Sequence, residues 1–227
     1  MLFRSQGSTT KKITVDIPNN QTKVETVAGG TQTFTGLPDG VDDLGTIIFV
    51  QGSVTSLGGT VQKDTELTIS SDSDTVITDH LKYQEYTPAV GTPGTPGYVS
   101  PNAEGKKNLL GVVVWNGNAR IGTGAPDNLE IHGPVMALNG IFTVDNYSSG
   151  SPRGIVTFLG GAITNYYGAF GTFNSVTGLQ VSGYGRNFVY DSRMLVGNAP
   201  PYFPSMNTFI AFTNDIADKI AWQEGGF

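Results

Sequence analysis

Residues 45–185 alternate very short apolar pieces with clusters of Gly, Asn, Ser and Asp. TIIFVQGSVTSLGG, TELTISSDSDTVITDH, LLGVVVWNGNARIG, NLEIHGPVMALNGIFTV and GIVTFLGGAITNYYGAFGTF show the rhythm. Each apolar piece runs about three to five residues, the short end of ordinary strands. A turn signal follows each within a few residues. Pieces this short cannot close a core alone, but stacked on equivalent pieces of the next turn of chain they bury a continuous interior. The pattern predicts an all-β fold: a single-stranded right-handed parallel β-helix, or β-solenoid, with N- and C-terminal caps and one projecting loop insertion. No run has the period of an amphipathic helix of ordinary length. Residues 214–220 hint at a helical turn, and a strand ending at Trp222 reads equally well.

The same pattern divides the chain. Residues 1–44 read as a polar leader and N-terminal β cap: a flexible stretch over 1–12, a strand at 13–17, a turn at Pro18-Asn19-Asn20 and a second strand at 23–27. Such a hairpin or cap would shield the edges of a first coil. The solenoid spans 45–185, with apolar pieces at 47–50, 110–115, 119–121, 129–131, 135–138, 141–144, 155–159 and 166–173 and a polar corner at 70–74. Residues 83–107, rich in Pro and Gly, break the rhythm as a loop insertion of the kind solenoids tolerate at corners. Residues 186–227 carry more aromatics and prolines and read as a C-terminal cap.

Composition narrows the function classes. Charged residues make up 14% of the 227-residue chain, Gly numbers 31, and the net charge is −6. Thirteen Lys and Arg spread thinly disfavour broad nucleic-acid binding, which needs clustered cations. Cysteine is absent, so neither a disulfide framework nor a thiolate metal site is available. No apolar run approaches the length of a membrane span. The opening MLFRSQGSTTKK lacks the apolar core of a signal peptide, so an exported protein would carry its export segment outside this sequence.

Candidate chemistry is sparse. The two histidines, His80 and His132, accompany no G-x-S-x-G elbow, and His132 in LEIHGP reads as a polar residue at the end of a coil. Asp72 and Asp74, near Glu66 and Asp79, form an Asp-x-Asp turn, the lesser candidate for a Ca²⁺ site beside a solvated corner; EF-hand spacing is absent. Asp42-Asp43, and Asp127 with Glu130, are the carboxylate pairs a polysaccharide-cleaving site would need, while Arg120, Arg153 and Arg193 stand isolated. No catalytic residue, cofactor or metal is assigned. In NYYGAFGTF, Phe170 and Phe173 read as stacked core rings. Because strand neighbours alternate faces, one of Tyr166 and Tyr167 is expected outside, free to stack on a sugar or a base. Tyr166, Tyr167, Lys106, Lys107 and Arg120 are the ligand-binding candidates.

The most distinctive motifs come late: His132 to Phe142 (HGPVMALNGIF), Gly160 to Gly171 (GGAITNYYGAFG), Tyr190-Asp191-Ser192-Arg193, and Pro200-Pro201-Tyr202-Phe203-Pro204. In combination they resemble a bacterial family of β-solenoid domains of unknown function carried by pilin-like, type IV pilus-associated proteins, including a minor pilin of competence systems. The likeness covers the second half of the chain, and residues 47–77 less closely. Physically, Tyr190, Asp191, Arg193, Pro200, Pro201, Phe203 and Pro204 read as a structural cap. Asp191 and Arg193 share a face, and the proline-aromatic strap lies over the last coil.

The resemblance implies an extracytoplasmic location, at the cell surface or secreted, with pilus or cell-surface proteins as partners. The expectation is a non-catalytic structural or adhesive module that displays side chains on a rigid stack. One alternative is DNA capture as a minor-pilin tip domain through a stripe of Lys106, Lys107 and Arg120. The other is a polysaccharide-binding or polysaccharide-degrading β-helix. Glycan and DNA are thus the candidate ligands.

Overall fold

The computed structural model describes residues 2–6, 10–26, 28–35 and 47–203. Its strands, in chain order, are β1 (Leu2–Gln6), β2 (Thr10–Asp16), β3 (Gln21–Thr26), β4 (Thr31–Thr35), β5 (Ile47–Gln51), β6 (Val54–Val61), β7 (Glu66–Ser71), β8 (Thr75–Tyr83), β9 (Leu109–Val114), β10 (Ala119–Ile121), β11 (Glu130–His132), β12 (Val135–Val144), β13 (Pro152–Gly160), β14 (Ala162–Tyr166), β15 (Gly171–Phe173) and β16 (Gln180–Tyr190). Short 3-10 helices at Ile17–Asn19 and Ser192–Val196 are the only helical elements among the described residues. The fold is all-β.

A 13-stranded sheet carries most of the molecule, and its path runs open from β1 to β15. Its parallel pairs fall into three rows. The first runs β1, β5, β7, β9, the start of β12, then β14. The second runs β6, β8, β10 and the end of β12. The third joins the end of β8 to β11, β13 and β16. Antiparallel pairing is confined to β15 on β16 and to a separate three-stranded sheet, β2-β3-β4.

Register explains why short apolar pieces suffice. Paired residues of parallel strands point to the same face. Ile48, Ile69, Val112 and Val135 therefore form one column. Leu57, Ile77, Ile121 and Val144 form a second, and Leu81, Ile131, Phe158 and Phe188 a third. These columns meet in one apolar interior. Burying each aliphatic side chain contributes about 1.5–3 kcal/mol against exposure, which no isolated piece of this length could secure.

Polar corners are stitched in the same register. Asn116 Nδ2 donates to Asp72 Oδ1 at 2.9 Å, and Asn139 Nδ2 donates to Asn116 Oδ1 at 3.2 Å. Beside them, the Asn118 N–H donates to Asp74 Oδ1 and Asn118 Oδ1 accepts from the Ile141 N–H. Side-chain bonds between neighbouring strands of a row join residues 21 to 30 apart. Across the insertion the separation is 44. Gly133 sits at φ 109°, and a Cβ there would overlap the Leu110 carbonyl oxygen; one on Gly160 would overlap the Gly133 carbonyl. The corner backbones approach too closely for any side chain.

Several expectations are corrected. The stretch 1–12 is not a free leader: β1 pairs in parallel with β5, and β2 begins at Thr10. The open edge of β5 offers backbone partners whatever the side chains are. The hairpin gains a third strand, β4, built on β-favouring threonines. Ile13 packs against the interior, and β2 walls a cavity of about 840 Å³ with Ile48, Val50, Leu57 and Leu67. Tyr83 is a buried end of β8, not part of the insertion. The insertion lies along the flank instead of projecting: Tyr98 Oη accepts from Asn187 Nδ2 at 2.5 Å, and Ala103 is buried. β16 carries the stack to Tyr190, beyond the expected limit at 185. Phe173, expected in the core, is exposed, because β15 folds out antiparallel onto β16.

Candidate functional site

Two places gather functional side chains. The first lies where the insertion leaves and rejoins the stack. β8 delivers Lys82 and Tyr83, β11 delivers Glu130 and His132, and Tyr86 follows in the insertion. Glu130 Oε2 accepts from Tyr86 Oη at 2.9 Å, and Oε1 lies 3.3 Å from Lys82 Nζ. His132 Nε2 lies 3.6 Å from Glu130 Oε2, a contact longer than a hydrogen bond. The facing imidazole, then Tyr86 and Lys82, outweigh burial and hold the Glu130 carboxyl at about 2. Burial drives His132 below its ordinary value against the pull of Glu130. Burial also raises the Tyr83 hydroxyl.

Both histidines serve the ladder. His132 Nδ1 accepts from the Tyr83 N–H, and His80 Nδ1 accepts from the Glu130 N–H, each at 3.0 Å. β8 and β11 share only the Leu81–Ile131 pair, so the imidazoles take the place of missing carbonyl partners. Each accepting Nδ1 must be unprotonated. Glu130 has both oxygens engaged and stays ionised near neutrality, so this cluster works as a latch, not as a poised acid or base.

Arg193 closes the latch from the C-terminal side. It grips Asp191 in a buried fork, with Nη2 to Oδ2 at 2.6 Å and Nε to Oδ1 at 2.9 Å. Its Nη1 donates to the carbonyls of Lys106 and Asn108, and its guanidinium lies 4.8 Å from the Tyr83 ring centroid. Asp191 also caps the 3-10 helix by accepting from the Arg193 N–H.

The second place is the far end of the stack. Arg186 is registered with Val156 and Phe188 with Phe158, so both occupy interior-facing positions. Phe142, Phe158, Phe170 and Phe188 meet edge to face around a closed ring of contacts, with centroids 5.1–5.6 Å apart. Past this ring no described strand covers β14 or the end of β16. The Arg186 guanidinium lies 5.1 Å from the Tyr167 centroid and 6.0 Å from that of Phe170. Tyr166 and Tyr167 are 68% and 72% exposed, so both face solvent where one was expected to.

Comparison of the chain with family models, curated proteins and solved structures found no match.

The remaining candidates are scattered. Arg120 lies in β10 between Asp74 Oδ2 at 3.4 Å and Asp145 Oδ1 at 3.5 Å. Lys106 and Lys107 are exposed at the end of the insertion. The expected stripe is not assembled, because Arg120 belongs to another row and is already ion-paired. Asp72 and Asp74 are committed to the Asn116 and Asn118 corner, and no group of three or more metal-type ligands occurs among the described residues. Asp127 pairs with Arg153 at 3.0 Å, separately from Glu130 and its partners. Tyr190 is exposed. Pro200 and Phe203 are buried, but on the outer face of the first row, against Val113 and Met136. Thr68 Oγ1 donates to the Pro201 carbonyl there. The strap thus crosses the middle of the first row, where Gly111 on β9 leaves room for the Phe203 ring, and not its last strands. Pro204, Asp42, Asp43 and residues 214–222 lie outside the described residues.

Sequence reasoning missed Lys82, Tyr83, Tyr86, Arg186 and Phe188. Only Arg186 left a signal: in GRNFVY, strand alternation places it on the face of Phe188.

Proposed function

We propose that the three parallel rows wind as a right-handed β-solenoid. The chain would serve as a non-catalytic surface module of pilin-like or type IV pilus-associated machinery, outside the cytoplasm. The observation that carries this reading is the parallel register of interior columns, Ile48 to Val135 in one row and Leu81 to Phe188 in another, with an insertion strapped along the flank. Parallel crossovers in one sheet are overwhelmingly right-handed. A stack of this kind is stiff along its axis and presents loops and ladders in fixed places, which suits display and adhesion. The engaged state of Glu130 and Asp127 supports a structural role over polysaccharide cleavage. The pilus assignment rests on the motif resemblance.

The test is location. Antibody raised against this chain should label intact producing cells, and external protease should remove the signal. The protein should co-sediment with sheared surface fibres. Recovery from the cytosolic fraction alone would refute the reading.

A further inference from the structure

We propose that the end of the stack formed by Arg186, Tyr166, Tyr167 and Phe188 is a binding platform for acidic polysaccharide, taking a pyranose ring on the tyrosines and its carboxylate on the guanidinium. Three observations converge. Arg186 occupies an interior-facing register position above Val156, where an aliphatic residue would continue the column. Its charge lies against Tyr167 and Phe170 rings. Among the described residues no carboxylate stands within ion-pair distance of it.

An interior position given to an exposed cation does not serve packing. A guanidinium backed by aromatic rings is held in place and less hydrated, and it matches a carboxylate fork. The exposed Tyr faces suit the apolar C–H face of a sugar, while their hydroxyls suit its oxygens. Nucleic acid fits less well. It calls for several cations along a track, whereas Lys82, Arg120, Arg153 and Arg193 are each already paired with a carboxylate. The proposal deepens the display reading by naming a ligand class.

The full chain is titrated with polygalacturonate, with neutral cellohexaose and with oligo(dT), by calorimetry at two salt concentrations. Polygalacturonate should bind, and cellohexaose at least about tenfold more weakly, the factor for one lost charge-assisted contact. Arg186→Gln should remove that preference, and Tyr167→Ala should weaken binding by about tenfold, both with the melting transition retained. Equal binding of both glycans, no glycan binding, or an unchanged Arg186→Gln would overturn the proposal. So would tighter, steeply salt-dependent binding of oligo(dT). A negative result with soluble glycans leaves the cell-labelling outcome intact, so the two readings fail separately.

Discussion

Phe158 and Phe188 are the same residue type in the same column, one turn of chain apart. Phe158 is 1% exposed and Phe188 45%. Both lie on the interior face of their strands. The difference is the neighbour: Phe158 has β11 on one side and β16 on the other, whereas Phe188, among the described residues, has β13 on one side alone. The same contrast separates Val156 from Arg186 and Val135 from Ala162. In the middle of the stack, local alternation and burial agree. At its end the alternation persists and the burial does not, so interior-facing positions there become surface with unusual freedom of chemistry.

The sharpest way to break this comparison is to truncate both rings. Phe158→Ala should lower unfolding free energy by about 3–5 kcal/mol, the usual cost of emptying a closed aromatic site. Phe188→Ala should cost about 1–2 kcal/mol, because much of that ring already meets water. Urea unfolding of the two variants measures the difference directly. Equal losses would mean that the end is as closed as the middle.

A second contrast sets the middle against the latched flank. Arg193→Leu leaves Asp191 buried without its partner and releases two backbone carbonyls of the insertion. The expected loss is about 3 kcal/mol, the lower end of the range for breaking a buried pair. The insertion should also become the first site of proteolytic cleavage, while the spectrum of the stack is kept. Uniform protease resistance would show that Tyr98 and Asn187 hold the insertion unaided.

The smallest effect is on acid stability. His132 is held neutral, with its folded value below the ordinary 6.5, so its contribution is complete above about 6.5 and declines as pH falls through the lowered value. Glu130 is depressed from 4.5 to about 2, so its contribution is complete above about 4.5 and is lost between there and 2. Both groups bind more protons unfolded, and both make acid destabilising. The melting temperature should fall in two stages as pH drops, and His132→Gln should flatten the upper one. A melting temperature that rises between pH 7 and 5 would contradict the neutral-imidazole ladder.

The all-β class and several of its short strands are legible in the sequence. The apolar pieces at 47–50 and 119–121 are strands because turn residues close each of them, whereas 135–138 and 141–144 join in one strand, β12, that runs on through Asn139-Gly140. The spacing of two pointed to the Asp191 and Arg193 pair, but the structure forms it at the start of a 3-10 helix that Asp191 caps, not along an extended segment. The latch was not readable: Tyr98 reaches Asn187 across 89 residues, and Arg193 reaches Asn108 across 85. Nothing local marks either partner. The strap was placed over the wrong surface for the same reason, since the space it fills is made by Gly111 on a distant strand. Phe173 was misplaced because a return strand onto β16 carries the same apolar rhythm as an inward one.

By itself the sequence determined the all-β class and the place of several short strands, such as those at 47–50 and 119–121. Those depend on alternation and turn chemistry within a few residues. Only the tertiary structure decided which interior-facing positions are covered, where the insertion and strap come to rest, and that Arg186 stands without a carboxylate partner among the described residues. Those depend on how many strands lie on each side of a residue, and burial there is a property of neighbours far away in the chain.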